Sequence, residues 1–307
     1  MVGSTLIRAG HLAPLILLFT VSISKGQNST SAQRTAILKD QVVREVSQYP
    51  AAQVAVAFKD LQSGAELFIN EDRFFHAAST MKTPVMAALF AQSAVGKFDL
   101  DDTITVYNRF KSIADGSEYQ VNSADDSEQD LYKAVGTPVL ISDLMLRMIT
   151  KSSNLATNML IDKVGVNAVK ETMHIIGADN IKVLRGVEDQ KAFDQGMNNM
   201  VTAKDLMLLF EQIALGRLVN RDASQKMIAI LMQQRLKGAI PAKLPSAVRV
   251  ANKTGSITRV LNDSGIVFLP DGRKYVLVLL SRGLEPEPAI QLLSDISLLI
   301  YQHTQHN

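Results

Sequence analysis

Apolar side chains recur at helical spacing over residues 33–48, through Ile37, Val42, Val43 and Val46, until Tyr49-Pro50 ends the run. That period predicts an amphipathic helix. The pattern then shortens: residues 54–58 and 65–69 are brief apolar runs joined by a polar stretch, which predicts a hairpin. From residue 78 the chain becomes apolar on nearly every side, through Val85, Met86, Ala87, Ala88, Leu89 and Phe90. A helix of that kind belongs inside a protein. It should run to about residue 95, with Gly96 as its stop.

Residues 100–136 are polar and carry acids at Asp125, Asp126, Glu128 and Asp130, so a surface excursion is expected. A helix should follow with Ser142 as its N-cap and Leu144, Met145, Met148 and Ile149 as its buried stripe. Further helices are predicted over 155–164 and 166–176. Residues 180–199 hold few apolar side chains and read as a long loop, a feature more often functional than idle in a compact domain. Helices return over 202–213 and 222–234, and a hinge follows at 241–245. Strands are expected over 248–254, 263–269 and 274–281, with Asp271-Gly272 turning the last pair. An amphipathic helix over 288–303 closes the chain.

Strands near both ends with helices between them predict an α/β (α+β) fold. The two sets of strands join in one antiparallel sheet covered by the terminal helices, and the central helices make an all-helical lobe. The expected division is an α/β lobe of residues 27–78 and 246–307 and a helical lobe of residues 79–245, with the site in the cleft between them. Residues 1–26 have the form of a secretory signal: Arg8, an apolar run over 12–23, and the small-x-small triplet Ser22-Ile23-Ser24. The run is too short for a comfortable transmembrane span, so export without a stable membrane anchor is expected.

Composition narrows the chemistry. The 307 residues include 32 basic and 30 acidic side chains, and 47% are hydrophobic, enough for a large core and no sign of a nucleic-acid partner. There is no cysteine, so disulfides, thiolate catalysis and cysteine-bound zinc are excluded. The five histidines lack metal-ligand spacing, and neither a Gly-x-Ser-x-Gly elbow nor a Gly-rich phosphate loop occurs. No cofactor is implied, and a monomer is the default.

One charge interrupts the apolar helix. Lys82 lies one turn after Ser79 in Ser79-Thr80-Met81-Lys82, on the same face. A serine hydroxyl needs a base to become a nucleophile, and a buried lysine loses its proton readily. Ser22-Ile23-Ser24-Lys25 has the same spacing at the end of the signal, so the motif needs partners. Two follow in order: Ser152-Ser153-Asn154 where a helix begins, and Lys253-Thr254-Gly255 on a strand. Ser152 could pass a proton to a leaving nitrogen while the Asn154 amide holds a carbonyl. Lys253 and Thr254 could receive a carboxylate, and Gly255 could let substrate approach the strand.

This triplet resembles that of the penicillin-recognising serine enzymes, and class A β-lactamases most closely. The resemblance covers essentially the whole chain after the signal and implies a bacterial periplasmic or secreted serine hydrolase of small β-lactams. It implies acylation of Ser79, with Lys82 and Ser152 moving protons and the backbone N–H groups of Ser79 and Ser256 as oxyanion hole. It also implies a deacylating glutamate in the long loop, for which Glu188 is the candidate. Here the pattern departs: Arg185-Gly186-Val187-Glu188 places the acid one residue later than in the family, Ala192 stands where an asparagine is expected, and Ser153 replaces an aspartate. The alternatives are a D-Ala-D-Ala carboxypeptidase or transpeptidase, and a sensor that binds without turnover.

Overall fold

The structure is a computed structural model and describes residues 1–3, 31–236 and 238–305. The expected signal lies outside the described residues apart from its first three. Five strands form one antiparallel sheet in the order Glu66–Ile69, Gln53–Asp60, Lys274–Arg282, Val260–Phe268 and Arg249–Ile257. Strands from both ends of the chain thus meet at its centre, where Val56 pairs with Leu279. The central strand is buried from Tyr275 to Ser281, as a strand covered on both faces must be.

Side chains two apart along a strand share a face. On one face Val54, Val56, Leu277 and Leu279 pack against Leu38 and Val42 of helix Ser31–Ser47 and Leu292, Leu293 and Ile296 of helix Pro286–Gln305. On the other, Ala55, Ala57, Val276, Val278 and Leu280 join the core containing Leu206 and Phe210 of helix Ala203–Ala214 and Val85 and Leu89 of helix Lys82–Ala94. The mixed fold expected from the hydrophobic pattern is therefore present. Its last strands are longer than the pattern indicated, so Lys253 to Ser256 all lie on Arg249–Ile257, at the sheet's open edge.

Two expectations are corrected. Ser142 does not cap the helix Ile141–Thr150; Leu140 stands at that position without a side-chain cap. Pro138–Leu140 instead pairs with Thr103–Thr105 as a short strand, and the carbonyls of Asp102 and Leu100 take the Ile141 and Ser142 N–H groups. Residues 100–136 are more than a surface excursion. Asp126 and Glu128 are 5% and 2% exposed. Asp189, from the long loop, accepts from Ser112 Oγ at 2.7 Å and the Ile113 N–H at 2.9 Å. The polar stretch is scaffolding for that loop.

Candidate active site

Ser79 sits in a single 3₁₀ turn, Ala78–Met81, that leads into the buried helix. Ala78 has φ +45°, a conformation unfavourable for any residue but glycine. Neighbours hold it there. His76 Nδ1 accepts from the Ala78 N–H at 3.0 Å, and Asn262 on the adjacent strand donates from Nδ2 to the His76 carbonyl at 2.9 Å. Gly255 completes the seat. A Cβ at this position would lie 2.8 Å from the Ser79 nitrogen, 2.9 Å from the Thr80 nitrogen and 3.1 Å from the Ala77 oxygen. The missing side chain therefore admits the backbone of the Ser79 turn, a neighbour that the sequence did not indicate. Gly255→Ala should push this turn away from the strand, costing about 1–3 kcal/mol of overpacking strain. We expect a Tm lower by several degrees and a fall in turnover larger than the stability loss explains, checked by calorimetry beside initial rates.

Lys82 is fully buried. Its Nζ donates to the Ser152 carbonyl at 2.6 Å, Ser152 Oγ at 3.2 Å and Asn154 Oδ1 at 3.0 Å. Burial pushes its pKa down to about 7, against the attraction of Asp126 and Glu188. Three acceptors match the three hydrogens of an ammonium; a neutral amine has only two and turns its lone pair to a new partner. Lys253 is buried as well, and its Nζ reaches the same Ser152 Oγ at 3.1 Å and the Thr254 carbonyl at 2.7 Å. Burial and the neighbouring Lys82 charge hold its pKa well below the usual lysine value, and Asp263 opposes them. Two nitrogens thus donate to one hydroxyl and fill its lone pairs, which leaves the Ser152 hydrogen to point elsewhere. Ser152 has φ +59°. Lys253 does not present its ammonium in the open cleft as expected; it stands behind Ser152 and Thr254.

Glu188 enters from the long loop, at φ +61° and half-buried. Arg185 does not pair with it, since the guanidinium donates to the Met197 and Gly186 carbonyls and to Asn198 Oδ1. Lys191 pairs with Asp115 at 2.7 Å. Glu188 instead accepts from Asn154 Nδ2 through Oε1 and from the Asn122 N–H through Oε2, both at 2.8 Å. The Asn154 amide therefore bridges Lys82 and Glu188. The loop is pinned just before Glu188, where Asn158 accepts from the Val187 N–H at 2.6 Å and donates to the Val187 carbonyl at 3.0 Å. Gly186 permits this approach: a Cβ there would lie 2.5 Å from Asn158 Oδ1.

Ser79, Asn154, Glu188 and Ser256 line one open cavity of about 390 Å³, whose walls include Val187, Phe193 and Ile257. A second cavity of about 420 Å³ lies across the strand end, lined by Thr254, Ser256, Arg235 and Arg259 among others. The structure thus gathers Ser79, Asn154, Glu188 and Ser256 around one opening, places Lys82, Ser152 and Lys253 behind it, and puts Thr254 at its neighbour. Asn262, Asp126, Asn122 and Arg235 were not legible as site residues. Only their contacts mark them, and none belongs to the three motifs around Ser79, Ser152 and Lys253.

The chain matches the Beta-lactamase enzyme family over residues 36–304. It belongs to that family. Among curated relatives it is 28% identical to the extended-spectrum beta-lactamase PER-1 of Pseudomonas aeruginosa over 277 residues, covering 85% of this chain and 83% of that one. Among solved structures it resembles the beta-lactamase from Sphaerobacter thermophilus DSM 20745, with a TM-score of 0.74 and 26% identity over 89% of this chain and 97% of that one. It also resembles a point mutant of PBP-A, solved as an acyl-enzyme complex with penicillin G, with a TM-score of 0.77 and 26% identity over 89% and 97% of the two chains.

Proposed function

We propose that the protein is a serine β-lactamase of the class A type, hydrolysing the lactam amide through an acyl-enzyme on Ser79. The observation that carries this reading is the shared cavity of Ser79, Asn154 and Glu188 with a buried lysine of pKa about 7 behind it. Neutral Lys82 takes the Ser79 proton as Oγ attacks the lactam carbonyl carbon, and the developing oxyanion meets the Ser79 and Ser256 N–H groups. The C–N bond then breaks as Ser152 hands its proton to the leaving nitrogen and takes from Lys82, in contact at 3.2 Å, the proton that came from Ser79, so that Lys82 is neutral again. Glu188 next accepts a proton from water as that water attacks the ester carbon, and the proton returns to Ser79 Oγ as the acyl C–O bond breaks, which leaves Glu188 ionised and the acid product free. The substrate carboxylate lies along the open strand edge, within reach of Thr254, Ser256 and the Arg235 guanidinium. The PBP-A mutant, 26% identical, supports the acylation half, since penicillin G is held in it as an acyl-enzyme. We read residues 1–26 as an export signal, which puts the enzyme in the periplasm or outside the cell, where cell-wall antibiotics act.

The test is to mix purified protein with a chromogenic cephalosporin and follow colour and intact mass together. We expect continuous hydrolysis, a transient adduct on the peptide bearing Ser79, and an acylation rate that rises with pH through about 7, because Lys82 accepts a proton only when neutral. Stable labelling without turnover would point to the cell-wall peptidase or sensor, and absence of any adduct would remove the acyl-enzyme.

A further inference from the structure

We propose that Asp126, 26 residues before Ser152, is a positioning residue of this site: its carboxylate sets the Ser152–Asn154 turn and, through that turn, the acceptors that hold Lys82. The inference deepens the β-lactamase reading and rests on it for what Lys82 does, though not for how Asp126 is tested. Asp126 Oδ2 accepts from the Asn154 N–H at 2.8 Å, the Leu155 N–H at 3.0 Å, Ser153 Oγ at 3.5 Å and Tyr132 Oη at 2.9 Å. Its Oδ1 accepts from the Glu128 N–H at 3.1 Å. The helix Asn154–Val164 leaves its first N–H groups without internal partners. Ser153 takes one, that of Ala156, and Asp126 takes the two before it. A carboxylate there also meets the positive end of the helix.

Local sequence does not explain why the turn holds its shape. Ser152 is left-handed at φ +59°, which costs on the order of 1–3 kcal/mol and persists only where the surroundings impose it. The resemblance noted in the sequence places an aspartate where this chain has Ser153, a side chain one atom too short to span two backbone donors and a hydroxyl. Asp126 supplies a carboxylate at the same helix end from a distant loop. All three hydrogen-bond acceptors of Lys82 belong to Ser152 and Asn154, so a shift of this turn moves the base. The charged groups that bear on Lys82 are Asp126 and Glu188, which raise its pKa, and Lys253, which shares Ser152 Oγ with it.

The test uses three variants of the full chain: Asp126→Asn, Asp126→Ala, and Asp126→Ala combined with Ser153→Asp, which returns a carboxylate to the turn from within the motif. The Lys82 titration is read by NMR on lysine labelled at Cε, assigned with Lys82→Arg, and without substrate. We expect Asp126→Asn and Asp126→Ala to titrate Lys82 at lower pH than the wild type, and the combined variant to move it back. In parallel, kcat/KM for a chromogenic cephalosporin should fall by about 10²-fold in Asp126→Ala, the scale of a misplaced catalytic group. Its acid limb should move to lower pH, and the combined variant should recover much of the rate. An unchanged Lys82 titration in folded Asp126→Asn would overturn the proposal, as would a combined variant no better than Asp126→Ala. If the wild type itself neither hydrolyses nor labels, the β-lactamase reading fails while the titration still decides the role of Asp126.

Discussion

Ser79→Ala should abolish hydrolysis of a chromogenic cephalosporin and any covalent adduct, with kcat lower by about 10⁴-fold or more, as when a nucleophile acting in a catalytic unit is removed. The size of the loss follows from the proposed scheme. In it the strained turn, the buried amine and the two-lysine contact on Ser152 all serve a single oxygen, and without that oxygen none of them has a proton or a bond to move. The substitution should leave stability nearly unchanged. What holds the turn is the Asn262 amide, the Ala78 N–H bond to His76 and the backbone fit of Gly255, not the Ser79 side chain. Calorimetry should therefore show a Tm close to that of the wild type. Two other hydroxyl residues line the cavity, Ser256 and Thr258. Turnover retained in Ser79→Ala would transfer the nucleophile to one of them and end the proposed scheme.

The fold was legible because its signals are local and periodic. The apolar run from Val85 to Phe90 and the strand runs near both ends are patterns of burial, and burial decides where such segments go. The motif residues stood out in the sequence because Ser-x-x-Lys has the spacing of one helical turn, and Lys253-Thr254-Gly255 lies on one strand. What sequence reading missed depends on contacts between distant segments. Asp126 sits in an acidic stretch that looks solvated, yet it is buried because its partners are the N–H groups of a helix 28 residues on. Asn262 looks like an ordinary strand residue, and only the sheet register puts it against the segment that leads into the Ser79 turn. The fit of Gly255 against the Ser79 turn could not be read from the sequence, since the identity of what approaches a glycine is tertiary information. Lys253 was expected in the open cleft. It is buried because its strand is covered and its nitrogen finds the Ser152 hydroxyl and its own neighbour's carbonyl.

Glu188→Gln should trap the acyl-enzyme. One equivalent of cephalosporin should be consumed in a burst, after which the rate stalls and the protein keeps the added mass, with steady-state turnover lower by about 10²–10⁴-fold, the usual worth of a general base. An amide is close in size to a carboxylate, so the substitution removes the ability to take a proton from water more than it removes packing. It also disturbs one contact: Glu188 accepts at both oxygens, from Asn154 Nδ2 and from the Asn122 N–H, and glutamine has only one oxygen to offer. The burst phase separates the two effects. If the lost hydrogen bond mattered most, Asn154 and Lys82 would be displaced and the burst itself would slow; if proton abstraction matters most, the burst keeps its rate and only the release of product fails. The second outcome is expected, because Asn122 donates from backbone that does not move with the side chain. Turnover at the wild-type rate in Glu188→Gln would take this residue out of the mechanism and end the proposed deacylation step.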